Sequence, residues 1–151
     1  MPRAQRMKTI ATEITIKAPR SRVWDILTDF DAYPDWNPFL RKIAGRAEVG
    51  ARLIVEIHLP GRSPMTFKPR VLAAAPDREL RWLGRVLFPG IFDGEHSFVL
   101  REAPAACLFL QAETFTGVLV ALMSSKMFEA AEQGFVAMNQ ALKKRAEGKV
   151  I

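Results

Sequence analysis

Ile14-Thr15-Ile16-Lys17-Ala18-Pro19-Arg20-Ser21-Arg22-Val23-Trp24-Asp25-Ile26-Leu27 changes its period at a proline. Before Pro19, from Thr9 to Ala18, apolar Ile10, Ile14 and Ile16 alternate with Glu13, Thr15 and Lys17, the two-residue repeat of a half-buried strand. Pro19 stops that strand, and its fixed φ suits the first position of a helix. Beyond it Val23, Ile26, Leu27 and Phe30 recur at helical spacing, with Trp24 on the flank. The stretch from Asp31 to Pro38 predicts a turn-rich connector, because Pro34 and Pro38 forbid a long helix.

From Phe39 to Phe115 the repeat is again that of strands. Turn chemistry at Gly45 and Gly50, from Pro60 to Pro64, from Ala75 to Asp77, from Phe88 to Gly90 and at Ala103-Pro104 punctuates it. Turns at a spacing of about 10–15 residues predict an antiparallel meander of about six strands. After Gly117, Met127, Ala131, Phe135, Met138 and Leu142 form one apolar stripe, which predicts a helix of about 25–30 residues ending before Gly148. Strand, short helices, meander and one long helix make an α+β chain with helices on one side of a curved sheet. A sheet curved around a long helix leaves room for an internal space. Because an empty space forfeits contacts, it is expected to hold something.

The chain has 151 residues, the length of one domain, so 1–151 is expected to fold as a unit. Lys and Arg number 22 against 16 Asp and Glu, a net of +6. Part of that excess sits at the ends, in Arg3, Arg6 and Lys8 and in Lys143, Lys144, Arg145 and Lys149. No stripe of cations interleaved with aromatics is present, so no nucleic-acid partner is expected. Cys107 is alone, which excludes an internal disulfide, and its apolar surroundings predict a buried, inert thiol. His58 and His96 have no ligand-like spacing, so no metal and no cofactor are expected. The basic start lacks an apolar leader, and no apolar run reaches the ~20 residues of a membrane span, so a cytoplasmic protein without a transmembrane segment is expected.

Three runs carry a resemblance: Ile14 to Pro19, Val23 to Asp29, and Tyr33-Pro34-Asp35-Trp36-Asn37-Pro38. With Gly94-Glu95-His96-Ser97-Phe98-Val99-Leu100 and Glu113-Thr114-Phe115-Thr116-Gly117, they resemble the SRPBCC, or START-like, superfamily with its polyketide cyclase/dehydrase and lipid-transport group. The resemblance implies a helix-grip fold: a curved antiparallel sheet around a long C-terminal helix, with a deep apolar cavity between them. It implies a hydrophobic ligand such as a lipid, quinone or polyketide. It also leaves open a cyclase/dehydratase-type enzyme on a similar ligand, or a co-chaperone-like protein-binding module. No iron-sulfur or mononuclear-iron motif matches, which disfavours the oxygenase branch.

Candidate residues follow from strand and helix faces. His96, Phe98 and Leu100 share one strand face, and Phe109, Gln111, Glu113 and Phe115 share another. If both faces turn inward, His96 and Glu113 form an acid/base pair, the two candidates for catalysis. The other ligand-binding candidates are Trp36, Phe39, Phe88, Phe92, Phe98 and Phe115, and on the long helix Met127, Phe128, Ala131 and Phe135. Trp24 and Trp36 also suit a packing role between small helices and sheet, and Asn37 suits a turn in which it satisfies backbone groups.

In antiparallel strands alternate connections share an end. The loops from Leu59 to Met65 and from Leu87 to Asp93, with the turn Thr116-Gly117-Val118, are therefore expected at one end. Their apolar residues predict the mouth of the cavity, with Phe88 and Phe92 as gates. The turns at Gly45 to Gly50, Ala75 to Asp77 and Ala103-Pro104 are expected at the other.

Overall fold

The computed structural model describes residues 7–86 and 90–148. Strand β1 (Met7–Ile16) leads through Pro19 into helix α1 (Arg20–Thr28), and Pro19 holds φ −68° with its carbonyl accepting from Arg22 N and Val23 N. A single 3-10 turn (Phe30–Ala32) and the four-residue α2 (Tyr33–Trp36) follow, short because each proline limits the run. The buried Tyr33 hydroxyl donates to Leu27 O at 2.5 Å. Burial, and then the Asp29 charge, push that phenol far above its ordinary range. Asn37 is buried too, and its Oδ1 accepts from the backbone N–H of Phe39 and Leu40, both at 2.9 Å. It satisfies the turn, as its position suggested.

Seven strands make up the meander: β2 (Leu40–Ala44), β3 (Ile54–Ile57), β4 (Met65–Phe67), β5 (Arg70–Ala75), β6 (Glu79–Val86), β7 (Phe92–Ala103) and β8 (Ala106–Thr116). The expectation of six missed a break at Lys68-Pro69, where a residue without an N–H divides one long strand into β4 and β5. The break also divides the sheet. β1-β8-β7-β6-β5 form one antiparallel sheet and β2-β3-β4 a second. Leu53 N donating to Pro69 O at 2.8 Å, and a bridge between Arg52 and Arg70, stitch the two at the bend. Asp93 lies opposite Thr116, whereas Ala75 pairs with Glu79 and Ala103 with Ala106 at the far end. The β6–β7 connection and the turn after β8 thus share an end. At that turn Gly117 has φ +118°, and a Cβ there would stand 2.5 Å from Ile91 O, so only glycine fits.

Helix α3 (Ser125–Glu147) opens on the Ser124 hydroxyl, which accepts from Met127 N, and stops at Gly148. It is slightly shorter than expected. Ala131, Phe135, Met138 and Leu142 are buried, and Met127 is half-buried. The C-terminal end is tied across the fold. Arg22 Nε donates to Ala146 O at 2.6 Å, Lys143 Nζ to Thr15 O at 2.9 Å, and Lys17 N to Glu147 Oε2 at 2.7 Å. Lys143, and then the Lys17 N–H, hold the Glu147 carboxyl below the usual carboxylate range. Cys107 is fully buried, and burial raises its thiol pKa, which suppresses the reactive thiolate. The α+β helix-grip arrangement is therefore observed. Among the described residues no helix is long and apolar enough to cross a membrane.

Phe135→Ala is expected to cost about 3–5 kcal/mol in chemical denaturation, because a fully buried ring leaves a cavity. Glu147→Gln is expected to lower Tm in neutral buffer. The folded carboxyl is shifted down, so its contribution exists above about pH 5 and fades as pH falls through the carboxylate range. The Tm gap between variant and parent closes accordingly on acidification.

Candidate functional site

Strand β7 carries His96, Phe98 and Leu100 inward, and the β7–β8 register sets His96 opposite Glu113. Across β6, the same histidine lies opposite Trp82. The two strand faces left open by the sequence both turn inward. His96 is 2% exposed, with its ring 5.5 Å from Trp82, 4.7 Å from Phe98 and 5.0 Å from Phe135, centroid to centroid. Nε2 meets Gln111 Oε1 at 2.9 Å, and Nδ1 meets Glu113 Oε2 at 3.5 Å. Glu113 is half-buried.

His96 and Glu113 are the ionisable groups in the wall of a largely apolar cavity of about 80 Å³. On one side the wall is Leu40, Val55, Ile57 and Phe67, from β2, β3 and β4. The other side is formed by Trp82, Gly84, Phe92, Gly94 and Phe115 of the large sheet. Val86 and Phe92 line it at the end that the β6–β7 connection shares with Gly117, the end expected to form the mouth. The space thus lies between the two sheets, which corrects the expectation of a cavity between sheet and C-terminal helix. None of the wall is contributed by α3 among the described residues. Phe39 is the reason. Its ring packs 5.3 Å from Phe135 and against Gly134, where a Cβ would come within 2.6 Å of it. That glycine costs the helix about 1 kcal/mol relative to alanine, and the space it leaves is filled by the ring.

The sequence candidates divide by position. Phe92, Phe115, His96 and Glu113 line the cavity. Phe39, Phe98 and Phe135 are buried around the His96 ring. Phe128 packs edge-on to Phe115 with the Lys8 ammonium over its face, while Met127 and Ala131 stay on α3 without reaching the cavity wall. Trp36 lies elsewhere. The short α2 sets it beside Tyr33 in an open surface groove of about 730 Å³, with Arg22, Ile26, Ala141 and Arg145. That groove is larger than the cavity, but it is open and Arg22, Asp35, Lys144 and Arg145 border it. Phe88 lies outside the described residues.

Four residues at the site were not singled out by their sequence. Trp82 alternates with Leu80 on the inward face of β6, a period-2 signal that was available. Gln111 sits between Phe109 and Glu113 on the inward face of β8. Asn139 follows Phe135 by one helical turn, and Thr12 shares the face of Ile10 and Ile14; a polar residue among apolar neighbours was the mark of each. No group of three metal-ligating side chains converges among the described residues, and His58 pairs with Glu56 at 2.6 Å.

Residues 7–147 match a protein family described as polyketide cyclase / dehydrase and lipid transport. No curated protein matches the chain. Among solved structures, the Zhui aromatase/cyclase from Streptomyces sp. R1128 is similar at 22% identity and a TM-score of 0.74, over 93% of this chain and 94% of that one. Protein MLL2253 from Mesorhizobium loti aligns at 18% identity and 0.73, over 95% and 100%. A START superfamily protein from Mycobacterium smegmatis aligns at 19% and 0.72, over 92% and 97%. At such identities the likeness is one of fold.

Alanine is the better helix former, yet Gly134→Ala is expected to lose about 1–3 kcal/mol by overpacking against Phe39. Thermal denaturation of the variant checks this; a gain in Tm would show that the ring yields without cost.

Proposed function

The chain belongs to the polyketide cyclase / dehydrase and lipid transport family, and from that premise we propose that it binds a hydrophobic small molecule between its two sheets. The observation that carries this reading is a partly enclosed, largely apolar cavity whose wall holds one polar pair, His96 and Glu113. Ligand pockets commonly combine apolar walls with a few placed polar groups that fix orientation. The ligand is therefore an apolar body bearing a hydroxyl, which donates to the Glu113 carboxylate. At about 80 Å³ the cavity is smaller than the roughly 300–1,000 Å³ of drug-sized sites, so entry displaces rim residues. Phe92, packed 5.7 Å from Phe115 at the mouth, is the proposed gate.

A second reading is favoured by the same pair: acid/base catalysis of the cyclase/dehydratase type. An imidazole nitrogen 3.5 Å from a carboxylate in an apolar wall is suited to moving a proton. Glu113→Gln, which keeps the shape and removes the base, separates the readings: a catalyst loses turnover and keeps binding, whereas a binder has no turnover to lose.

The test is titration with 1-naphthol and with naphthalene, followed by intrinsic fluorescence. The parent protein is expected to bind both, with naphthol favoured roughly ten-fold, the size of one hydrogen bond to a charged group. Glu113→Leu is expected to abolish that preference. Gly84→Leu, which fills the cavity, is expected to abolish binding, while Ala141→Trp in the outer groove leaves it intact. Binding that survives Gly84→Leu and fails in Ala141→Trp would move the site to the groove.

A further inference from the structure

Behind the His96–Glu113 pair a hydrogen-bond chain runs away from the cavity to β1 and α3. Two backbone carbonyls, which only accept, fix each donor along it. Gln111 O accepts from Thr12 Oγ1 at 3.1 Å, so the Thr12 proton is committed and Asn139 meets that hydroxyl as an acceptor. Asn139 Nδ2 accordingly donates to Thr12 Oγ1 at 2.9 Å, which turns Asn139 Oδ1 toward Gln111. Gln111 Nε2 donates to that Oδ1 at 2.7 Å and to Phe135 O at 3.4 Å. The second carbonyl demands the same amide orientation independently of the first. Gln111 Oε1 is left facing His96 Nε2 at 2.9 Å, and only an N–H on Nε2 satisfies it. Gln111, Asn139 and His96 are all buried, so an unmade hydrogen bond in this chain is strongly unfavourable.

We propose that Gln111, backed by Asn139 and Thr12, is a positioning residue that locks neutral His96 as the Nε2–H tautomer and leaves the Nδ1 lone pair facing the Glu113 carboxyl. Four aromatic rings surround the imidazole: Trp82, Phe98, Phe39 and Phe135. Glu113 is the charged group paired with His96 among the described residues. Nε2–H is taken by Gln111, and Nδ1 bonds to Glu113 only when one of the two carries a proton. Glu113, the less buried member of the pair, is the one that meets a ligand, and His96 acts through it. A proton released when a ligand O–H bond ionises is taken up by the pair, as an O–H on Glu113 or an N–H on Nδ1, and the ligand oxygen keeps the electron pair. Taken up at Nδ1, it yields an imidazolium whose two N–H groups already have acceptors. The ligand's part in this rests on the cavity reading above; the tautomer does not.

The experiment is nitrogen-15 long-range correlation NMR of the ligand-free full chain, with the pH raised until the ring is neutral. His58→Gln assigns the two histidines. The parent is expected to show a protonated-type Nε2 and an acceptor-type Nδ1 for His96. In Gln111→Met the Glu113 carboxylate becomes the ring's one strong acceptor, and the pattern is expected to invert to Nδ1–H. Gln111→Glu keeps an acceptor at Nε2 and is expected to retain the parent pattern. An Nδ1–H or averaged ring in the parent overturns the proposal, and so does an unchanged pattern in Gln111→Met. Should Gln111→Met fail to fold, the parent spectrum still decides. Because no ligand is present, a locked tautomer in a protein that binds neither naphthol nor naphthalene would remove the cavity reading and keep the lock. Ligand binding with an averaged ring would do the reverse.

Discussion

The pairing of β7 with β8 governs the rest of the molecule. Its register sets His96 against Glu113 in the middle and Asp93 against Thr116 at the mouth. Since side chains alternate, a slip of one residue on β8 would turn Gln111 and Glu113 to the outer face and Leu110 and Ala112 inward. The polar chain to α3 would be severed, and the helix would lose its buried hydrogen bonds to the sheet. The hairpin is long and closes through Pro104 and Ala105, with Ala105 at φ 53°, so register is fixed both by the turn and by one buried face.

Periodicity made most of the architecture legible. The alternation around Ile14 and Ile16, the stripe through Phe135 and Leu142, and the recurring turns each report which face of an element is buried, a local property. They do not report which buried faces meet. The Pro69 break is a case in point: the proline was visible, but its effect, turning β2-β3-β4 into the opposing wall of a cavity, depends on contacts far apart in sequence. The position of Trp36 was illegible for the same reason. Its signature position says it packs, and only the assembled helices decide that it packs on Tyr33 with one edge in the outer groove, beside Arg22 and Arg145.

The inward polar residues were harder to read, because hydropathy treats them as exceptions. Asn139 next to an apolar stripe and Thr12 on an apolar strand face look like edges of a pattern. They are instead partners across the whole chain length, one at each end of the sequence. A buried amide survives in a core only when each of its groups finds a partner, and here the partners are one another. The His96–Glu113 pair was legible as a possibility since both residues fell on alternating faces; its backing was not.

The moorings of α3 are lopsided. Arg22, Lys143 and Glu147 fasten its final turn to α1 and β1 by direct hydrogen bonds. At the opposite tip, near the mouth, Phe128 rests against Phe115 under Lys8, a contact of surfaces without a hydrogen bond between them. The helix is therefore a beam clamped at one end and merely propped at the other. Load applied at the propped tip is resisted there by side-chain packing alone, so the displacement it causes is greatest beside Phe115 and falls off toward Ala146.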